Sequence, residues 1–410
     1  MPLKALLLDF NSYFASVEQQ LRPELRGRPV GILPVVAETT CCIAASYEAK
    51  RHGVKTGTLV ADARRLCPGI VLVEARPKVY VDMHHRLIDL IDSVIAITEV
   101  LSIDEVECEL TGSWQREEVA VALAKKAKAR IRAEVGECMT SSVGIGPNRF
   151  VAKMASNMQK PDGLTVIHAD ELPQRLYALK LGDVHGIGRA MLARLGEAGI
   201  ATVEALCAAD RETLRRLWGG VGGERLYDAL RGLEVPSAPT QRGSLSHSHV
   251  LPPALRYDQG AYAVLSKLMQ KAARRLRAEG YLARRLSLWV DYRNRNPWGA
   301  EARFSATDGT LEFLRIVDAL WAERPRKREP IKVGVVLSHL TLPQHDALPL
   351  FDDRPAMPRL DAALDQLHRR FGNDAVYFGG AFRALHDAPM RISFNHIPDL
   401  TLEEDSTIEG

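Results

Sequence analysis

The chain predicts an α+β fold with a mixed catalytic core, an all-helical segment and a separate small α/β sandwich. Three observations predict it. Apolar strand-like runs alternate with helical spacing through the first 165 residues, a glycine-punctuated helical stretch covers about 170–232, and a new strand-and-helix pattern covers 244–342. A length of 410 residues exceeds one ordinary core, so more than one domain is expected. A hydrophobic content of 46% fits folded domains, and no apolar run approaches the roughly 20 residues that span a membrane.

Taken in order, residues 3–9 read as a buried strand. Residues 14–21 read as a helix, with Val17 and Leu21 one turn apart. Residues 28–33 resemble a strand after a turn, 41–45 form another apolar run, and 47–51 look helical. Pro68 and Gly69 break the next helix, and 70–73 is a short strand. The spacing over 80–97 is helical, and 102–110 reads as one strand with Asp104 and Glu105 at its start. Residues 117–135 form an amphipathic helix carrying Lys125, Lys126 and Lys128. A strand at 141–145 and a helix at 149–158 follow. Pro236, Pro239 and Gly243 mark a linker over 233–242. Beyond it, strands are expected at 285–292, 302–306 and 332–340, with a helix at 262–279.

Charge is unevenly spread. The chain carries a net +3, but residues 243–342 hold 17 Lys/Arg against 9 Asp/Glu, and residues 343–410 hold 6 against 12. A compact positive segment suits a polyanion, nucleic acid above all. The six cysteines (Cys41, Cys42, Cys67, Cys108, Cys138 and Cys207) have no CxxC spacing. Zinc and a disulfide framework are therefore not expected, and a reducing, cytoplasmic setting is. The start of the chain runs straight into the first strand without a secretory signal pattern.

The chemistry-bearing residues are carboxylates at strand ends. Asp9 closes the apolar run Ala5-Leu6-Leu7-Leu8, and Asp104 and Glu105 sit side by side after another apolar run. Three such groups suit two hard divalent cations, which take oxygen ligands. In a two-metal site one ion activates the attacking oxygen and the other steadies the leaving group.

The motifs around these residues resemble one family. Asp9-Phe10-Asn11-Ser12-Tyr13-Phe14-Ala15-Ser16-Val17-Glu18 is similar to the first motif of the Y-family translesion DNA polymerases, of the bacterial DNA polymerase IV kind. Ser102-Ile103-Asp104-Glu105 resembles their second acidic motif. Ser142-Val143-Gly144-Ile145-Gly146-Pro147-Asn148-Arg149-Phe150, with Ala152-Lys153, Ala155-Ser156 and Lys160-Pro161-Asp162-Gly163, resembles their third. Order and spacing match over about residues 3–342.

The resemblance implies a right-hand polymerase with palm, fingers, helical thumb and a little-finger α/β sandwich. The palm would take residues 1–10 and 77–165, the fingers 11–76, and the thumb 166–232. The linker would be 233–242, the DNA-gripping little finger 243–342 and a C-terminal tail 343–410. Asp9, Asp104 and Glu105 would be catalytic and hold two Mg²⁺ ions, with the Phe10 carbonyl as a further ligand. The primer 3′-hydroxyl would attack the α-phosphate of a deoxynucleotide and pyrophosphate would leave. Phe14 would be the steric gate against a 2′-hydroxyl, although from the residues alone Tyr13 and Phe14 read as core aromatics. Tyr47, Lys50 and Lys160 would contact the triphosphate. Lys50 stands where the family more often has Arg, Ala44 where Thr is common, Asn11 where Asp is frequent, and Glu107 where an aromatic is frequent. The partners implied are primer–template DNA and dNTP, with a monomeric chain.

Three further segments bear on partners. Val184-His185-Gly186-Ile187-Gly188 reads as helix-hairpin-helix, with Gly186 and Gly188 letting backbone N–H groups approach a phosphate, and Gly219-Gly220-Val221-Gly222-Gly223 is a second such loop. Arg274, Arg275, Arg277, Arg284, Arg285, Arg293 and Arg295 are expected to contact DNA phosphates. Ala347-Leu348-Pro349-Leu350-Phe351 resembles the bacterial sliding-clamp-binding peptide, with Leu348, Leu350 and Phe351 as anchors. Leu360, Leu364, Leu367 and Phe371 form one helical stripe, readable either as a face docked on the body or as a partner site. The alternative to an enzyme is a non-catalytic, clamp-tethered member of the same fold, which would be expected to have lost its carboxylates.

Overall fold

The structure is a computed structural model that describes residues 1–235, 242–293, 295–345, 357–385, 387–390, 392 and 397–400. The chain forms two compact units, Met1–Ala238 with Ser393–Ile397, and Pro239–Ile392 with Pro398–Gly410. No helix among the described residues is long and apolar enough to cross a membrane.

The first unit begins with β1 (Ala5–Phe10), α1 (Tyr13–Leu21), β2 (Val30–Leu33), β3 (Ala44–Ala45), α2 (Tyr47–Arg51), α3 (Val60–Leu66) and β4 (Val71–Glu74). It continues with α4 (Pro77–Asp92), β5 (Glu99–Ser102), β6 (Glu105–Glu109), α5 (Glu117–Glu134), β7 (Ser141–Gly146), α6 (Arg149–Met158) and β8 (Leu164–Val166). A five-stranded sheet runs β5-β6-β1-β7-β8. β1 lies antiparallel between β6 and β7. Both β1 and β7 are buried along their whole length, so they read as continuous apolar or small-residue runs without alternation. Gly144 lets α6 press on β7, because a Cβ there would lie 1.9 Å from the Ala152 carbonyl oxygen. A second sheet, β3-β2-β4, packs with α2 and α3 around Leu33, Cys42, Ala49, Val60 and Ala63.

Two sequence expectations change here. The single strand over 102–110 is a hairpin: Ser102 pairs with Glu105, and Ile103 and Asp104 form the turn. Ser102 closes that turn by donating to Asp104 Oδ1 at 2.6 Å and accepting from Asp104 N at 3.3 Å. Short polar side chains that bond their own backbone favour turns over strand continuation. The helix expected over 80–97 starts earlier, with Pro77 in its first turn, and stops at Asp92. Asp92 Oδ1 accepts from Ile97 N at 2.9 Å and so caps the exit instead of continuing it.

α1 and α4 are joined by a buried carboxylate. Glu18 accepts from Arg76 Nε at 2.9 Å, Arg76 Nη2 at 2.6 Å and Tyr80 OH at 2.9 Å. The two-pronged guanidinium contact satisfies both oxygens.

The rest of this unit is helical: α7 (Arg189–Glu197), α8 (Val203–Ala208), α9 (Arg211–Trp218) and α10 (Val221–Ala229). Thr202 and Asp210 cap α8 and α9 by accepting from Ala205 N and Thr213 N. Leu195, Val203, Leu206, Leu214 and Leu230 form the core of this bundle. Asn148 anchors it to the sheet, since it caps α6 through Val151 N and donates to the carbonyls of Ala229 and Leu233.

The second unit holds β9 (Ser244–Val250), α11 (Asp258–Ala278), β10 (Ala283–Tyr292), β11 (Trp298–Thr307), α12 (Thr310–Ala322), β12 (Pro330–Ser338) and α13 (Met357–Phe371). Its antiparallel sheet runs β11-β10-β12-β9, and Leu286, Leu288 and Val290 of β10 pack with α11 and α12 residues. β9 escapes sequence reading because only Leu245 and Val250 of SLSHSHV are strongly apolar. α12 is a further addition, although Phe313, Leu314, Val317, Leu320 and Trp321 do carry a helical period.

The structure corrects the role expected of three arginines. Arg277 is bonded to Asp365 and the Asp308 carbonyl, Arg274 donates to the Asn373 carbonyl, and Arg275 pairs with Glu279. Arg277 faces α13 and Arg274 the chain just after it, whereas Arg275 is held locally by its i,i+4 pair. The clamp-like peptide with Leu348, Leu350 and Phe351 lies outside the described residues.

Glu18 is fully buried while Arg76 is 35% exposed, so removing the carboxylate loses its charged hydrogen bonds and leaves the guanidinium partly solvated. Glu18→Ala is expected to destabilise the protein by about 2–3 kcal/mol, and Tyr80→Phe by about 1 kcal/mol. Urea unfolding followed by tyrosine fluorescence would measure both, and equal, small losses would contradict the ion-pair account.

Candidate active site

The site is built where β1, β6 and α6 meet. Asp9 and Glu105 are register partners across the β1/β6 ladder, which puts their side chains on one face. Asp104 stands one residue before, in the hairpin turn, and its carbonyl accepts from Phe10 N at 2.8 Å. His84 of α4 braces the same turn through Nδ1, 2.8 Å from the Ile103 carbonyl oxygen.

Two ammonium groups lie among these carboxylates. Lys153 of α6 reaches Asp9 Oδ2 at 2.7 Å and Glu105 Oε1 at 2.5 Å. Lys160 reaches Asp9 Oδ1 at 2.7 Å. Burial pushes the Asp104 carboxyl up to about 7, helped by the nearby Asp9 and Glu105 and opposed by the Ser102 hydrogen bond and Lys153. Burial acts to lower the Lys153 pKa, but Asp9 and Glu105 raise it above the ordinary lysine value.

The chain leaves β1 through Ser12, which takes a left-handed conformation at φ 49° before α1. Ser12 Oγ accepts from Lys50 Nζ at 2.7 Å, and that ammonium lies 4.5 Å from the Tyr47 ring centroid. Burial, together with Lys160, lowers the Lys50 pKa while Asp9 and Asp104 work against them. Burial, with Asp9, pushes the Tyr47 hydroxyl up to about 12. Tyr47, Lys50 and Lys160 therefore border the carboxylates as cation and hydroxyl donors. Phe14 is only 1% exposed and stacks on Tyr80 at 4.8 Å between ring centroids.

Asn11 and Glu107 do structural work. Asn11 Oδ1 accepts from Asp162 N at 2.8 Å and Nδ2 donates to Ser142 Oγ at 3.0 Å, which ties the Lys160 segment to the sheet. Arg149 lies between Glu99 and Glu107. A cavity of about 910 Å³ opens from Asp104, Glu105 and Lys153 toward Trp218 and Leu226 of the helical bundle.

Gly186 and Gly188 sit exposed in the turn before α7, with Gly186 at φ +86° and open space around both. In the second unit Arg284 and Arg295 are exposed, Arg285 pairs with Glu301, and Arg293 lies 3.2 Å from Glu329.

The structure thus brings together Asp9, Phe10, Asp104, Glu105, Tyr47, Lys50 and Lys160. Sequence reading gave Lys153, Ser102 and Ser12 no role of their own. Lys153 left one signal: it is the lone cation within the small and apolar run Val151 to Ser156, otherwise buried or nearly so.

Among the described residues no three His, Cys, Asp or Glu side chains form a closed metal cage. The donor chemistry nevertheless suits a hard divalent cation. Three carboxylates converge, and their mutual repulsion helps raise Asp104.

Comparisons with known proteins point the same way. The impB/mucB/samB family matches residues 8–157, its C-terminal domain 242–349, and a SAM-like helix-hairpin-helix tandem 178–231. DNA polymerase IV of Moorella thermoacetica is 35% identical, over 91% of this chain and 94% of the relative. DNA polymerase IV 1 of Bacillus subtilis is 27% identical, over 96% and 98%. A solved Y-family DNA polymerase chimera of Dbh and Dpo4 aligns with a TM-score of 0.71 at 24% identity, covering 83% of this chain and 99% of that one. The architecture is that of a right-hand polymerase. The chain belongs to the bacterial Y-family, the DNA polymerase IV kind, and is a DNA-directed DNA polymerase.

Lys153→Met removes the cation shared by Asp9 and Glu105. Primer extension is expected to slow about 10²-fold, with DNA affinity by fluorescence anisotropy changed less than about twofold. An unchanged rate would reduce Lys153 to a packing residue.

Proposed function

We propose that this enzyme is a low-fidelity polymerase that copies past damaged template bases, and that Asp9, Asp104 and Glu105 hold two Mg²⁺ ions with help from the Phe10 carbonyl. The observation that carries the reading is the cross-strand pairing of Asp9 with Glu105 beside the Asp104 turn, in a chain with a DNA polymerase IV relative at 35% identity. Bound there, divalent ions would lower the pKa of the primer 3′-hydroxyl and offset charge on the departing pyrophosphate.

The chain's own residues do the rest. Lys50 and Lys160, with the Tyr47 hydroxyl, are placed to grip the triphosphate and neutralise it. Ser12 orients Lys50 by its hydrogen bond. Lys50 supplies a point charge rather than a guanidinium fork. Phe14, immobilised between Tyr80 and Tyr13, makes a rigid wall for the sugar. Lys153 keeps Asp9 and Glu105 at a fixed spacing before substrate arrives.

We assign the five-stranded sheet with α4 to α6 as palm, α1 to α3 with the small sheet as fingers, α7 to α10 as thumb, and β9 to β12 with α11 and α12 as little finger. Backbone N–H groups at Gly186 and Gly188 are suited to a primer–template phosphate. Arg284 and Arg295, both exposed, are proposed for phosphate contact in the little finger together with Arg285 and Arg293, which also pair with Glu301 and Glu329. The Leu348, Leu350 and Phe351 peptide is proposed to dock a sliding clamp. The chain is proposed to act as a monomer in the cytoplasm.

Primer extension with Mg²⁺ on intact and abasic templates tests this reading. Asp104→Ala is expected to lose at least about 10³-fold in rate, and the wild type to extend past the abasic site. Phe14→Ala should raise ribonucleotide incorporation relative to deoxynucleotide by at least about tenfold. Full activity in Asp104→Ala would sink the metal assignment, and unchanged sugar selection in Phe14→Ala would sink the gate.

A further inference from the structure

Helix α13 is docked with its polar side inward. Asp365 accepts from Arg277 Nε at 2.7 Å and Nη2 at 2.8 Å. Asp361 lies 3.3 Å from Arg277 Nη1 and accepts from Thr310 N. His368 Nε2 lies 2.7 Å from the Val376 carbonyl oxygen. The apolar side faces water, with Leu360 41%, Leu367 38% and Phe371 59% exposed. With the half-buried Leu364 these residues follow one helical stripe. An amphipathic helix in a folded domain normally buries such a stripe, and contiguous apolar surface with a polar rim marks an interaction site.

Charge on this helix is sorted the same way. Its two acids, Asp361 and Asp365, are both spent on the inward contacts. Arg369 and Arg370 remain exposed beside the stripe, and Arg370 lies 5.1 Å from the Phe371 ring centroid. The free face is therefore apolar and cationic. Nucleic acid would answer the arginines but leave the leucines in water. A basic amphipathic segment would fill the stripe but meet repulsion at its rim.

We propose that the outward face of α13 binds an acidic amphipathic helix of a partner protein, with leucine or phenylalanine anchors seated along Leu360, Leu364, Leu367 and Phe371. Such helix-on-helix recognition takes affinity from apolar anchors and selectivity from the charged rim. The residues of this face are distinct from Leu348, Leu350 and Phe351 and from the catalytic residues.

The test titrates the full chain against a fluorescein-labelled model helix built of leucine and glutamate, read by anisotropy. The same helix with lysine for glutamate is the control. The acidic peptide is expected to bind saturably and at least about tenfold tighter than the basic one. The double variant Leu367→Ser/Phe371→Ser should weaken it at least about tenfold, as should Arg369→Glu/Arg370→Glu, with primer extension unchanged in both. No saturable binding, or equal binding by the serine variant, overturns the proposal. Binding to phosphatidylglycerol vesicles without binding to the acidic peptide assigns the face to a membrane and overturns it too. Self-association in sedimentation, lost in the serine variant, assigns it to a second copy of the chain with the same consequence.

Discussion

Three carboxylates held against one another are the constraint on which the catalytic half of this molecule depends. Antiparallel pairing of β1 with β6 sets Asp9 opposite Glu105, and the hairpin turn adds Asp104. Burial pushes the Asp104 pKa up to about 7, and the like charges of Asp9 and Glu105 add to the rise. The fold meets that repulsion with Lys153 and Lys160 on the carboxylates themselves. A cluster of this kind persists only because the surrounding packing over-determines it.

That packing is traceable. Lys153 reaches the carboxylates because α6 lies close over β7, and α6 lies close because Gly144 has no side chain. Asn148 starts α6 and fastens the helical bundle to it. Lys160 is placed by the segment that Asn11 holds through Asp162 N. Asn11 thus serves the site without being one of its acids. On the other side Glu18, Arg76 and Tyr80 lock α1 to α4, and Tyr80 in turn backs Phe14. The wall beside the site and this ion pair are one structure.

The second unit shows how net charge misleads about surfaces. Its sequence has a large excess of arginine and lysine, which suits a nucleic-acid partner. Several of those cations are internal fasteners: Lys271 donates to the Ala388 carbonyl, and Arg274 and Arg277 bond the segment that includes α13. The cost of covering them falls on the acids of α13, which are drawn inward and leave that helix's apolar side in water.

Sequence alone determined many of the element types, the all-helical middle and the identity of the three acids, because apolar periodicity and local motifs are read over short spans. Asp9, Asp104, Glu105, Tyr47, Lys50 and Lys160 were legible as a set, and the structure brings them to one place. What sequence could not decide depends on contacts between distant segments. One apolar run from 102 to 110 became a hairpin because Ser102 closed a turn on Asp104. β9 stayed hidden because five of its seven residues are Ser or His, and its pairing with β12 supplies the strand. Lys153 looked like one cation on a helix until the sheet put Asp9 and Glu105 beneath it. Only the tertiary structure decided which arginines are spent inside and which side of α13 meets water, since a helical period gives a face without saying what it faces.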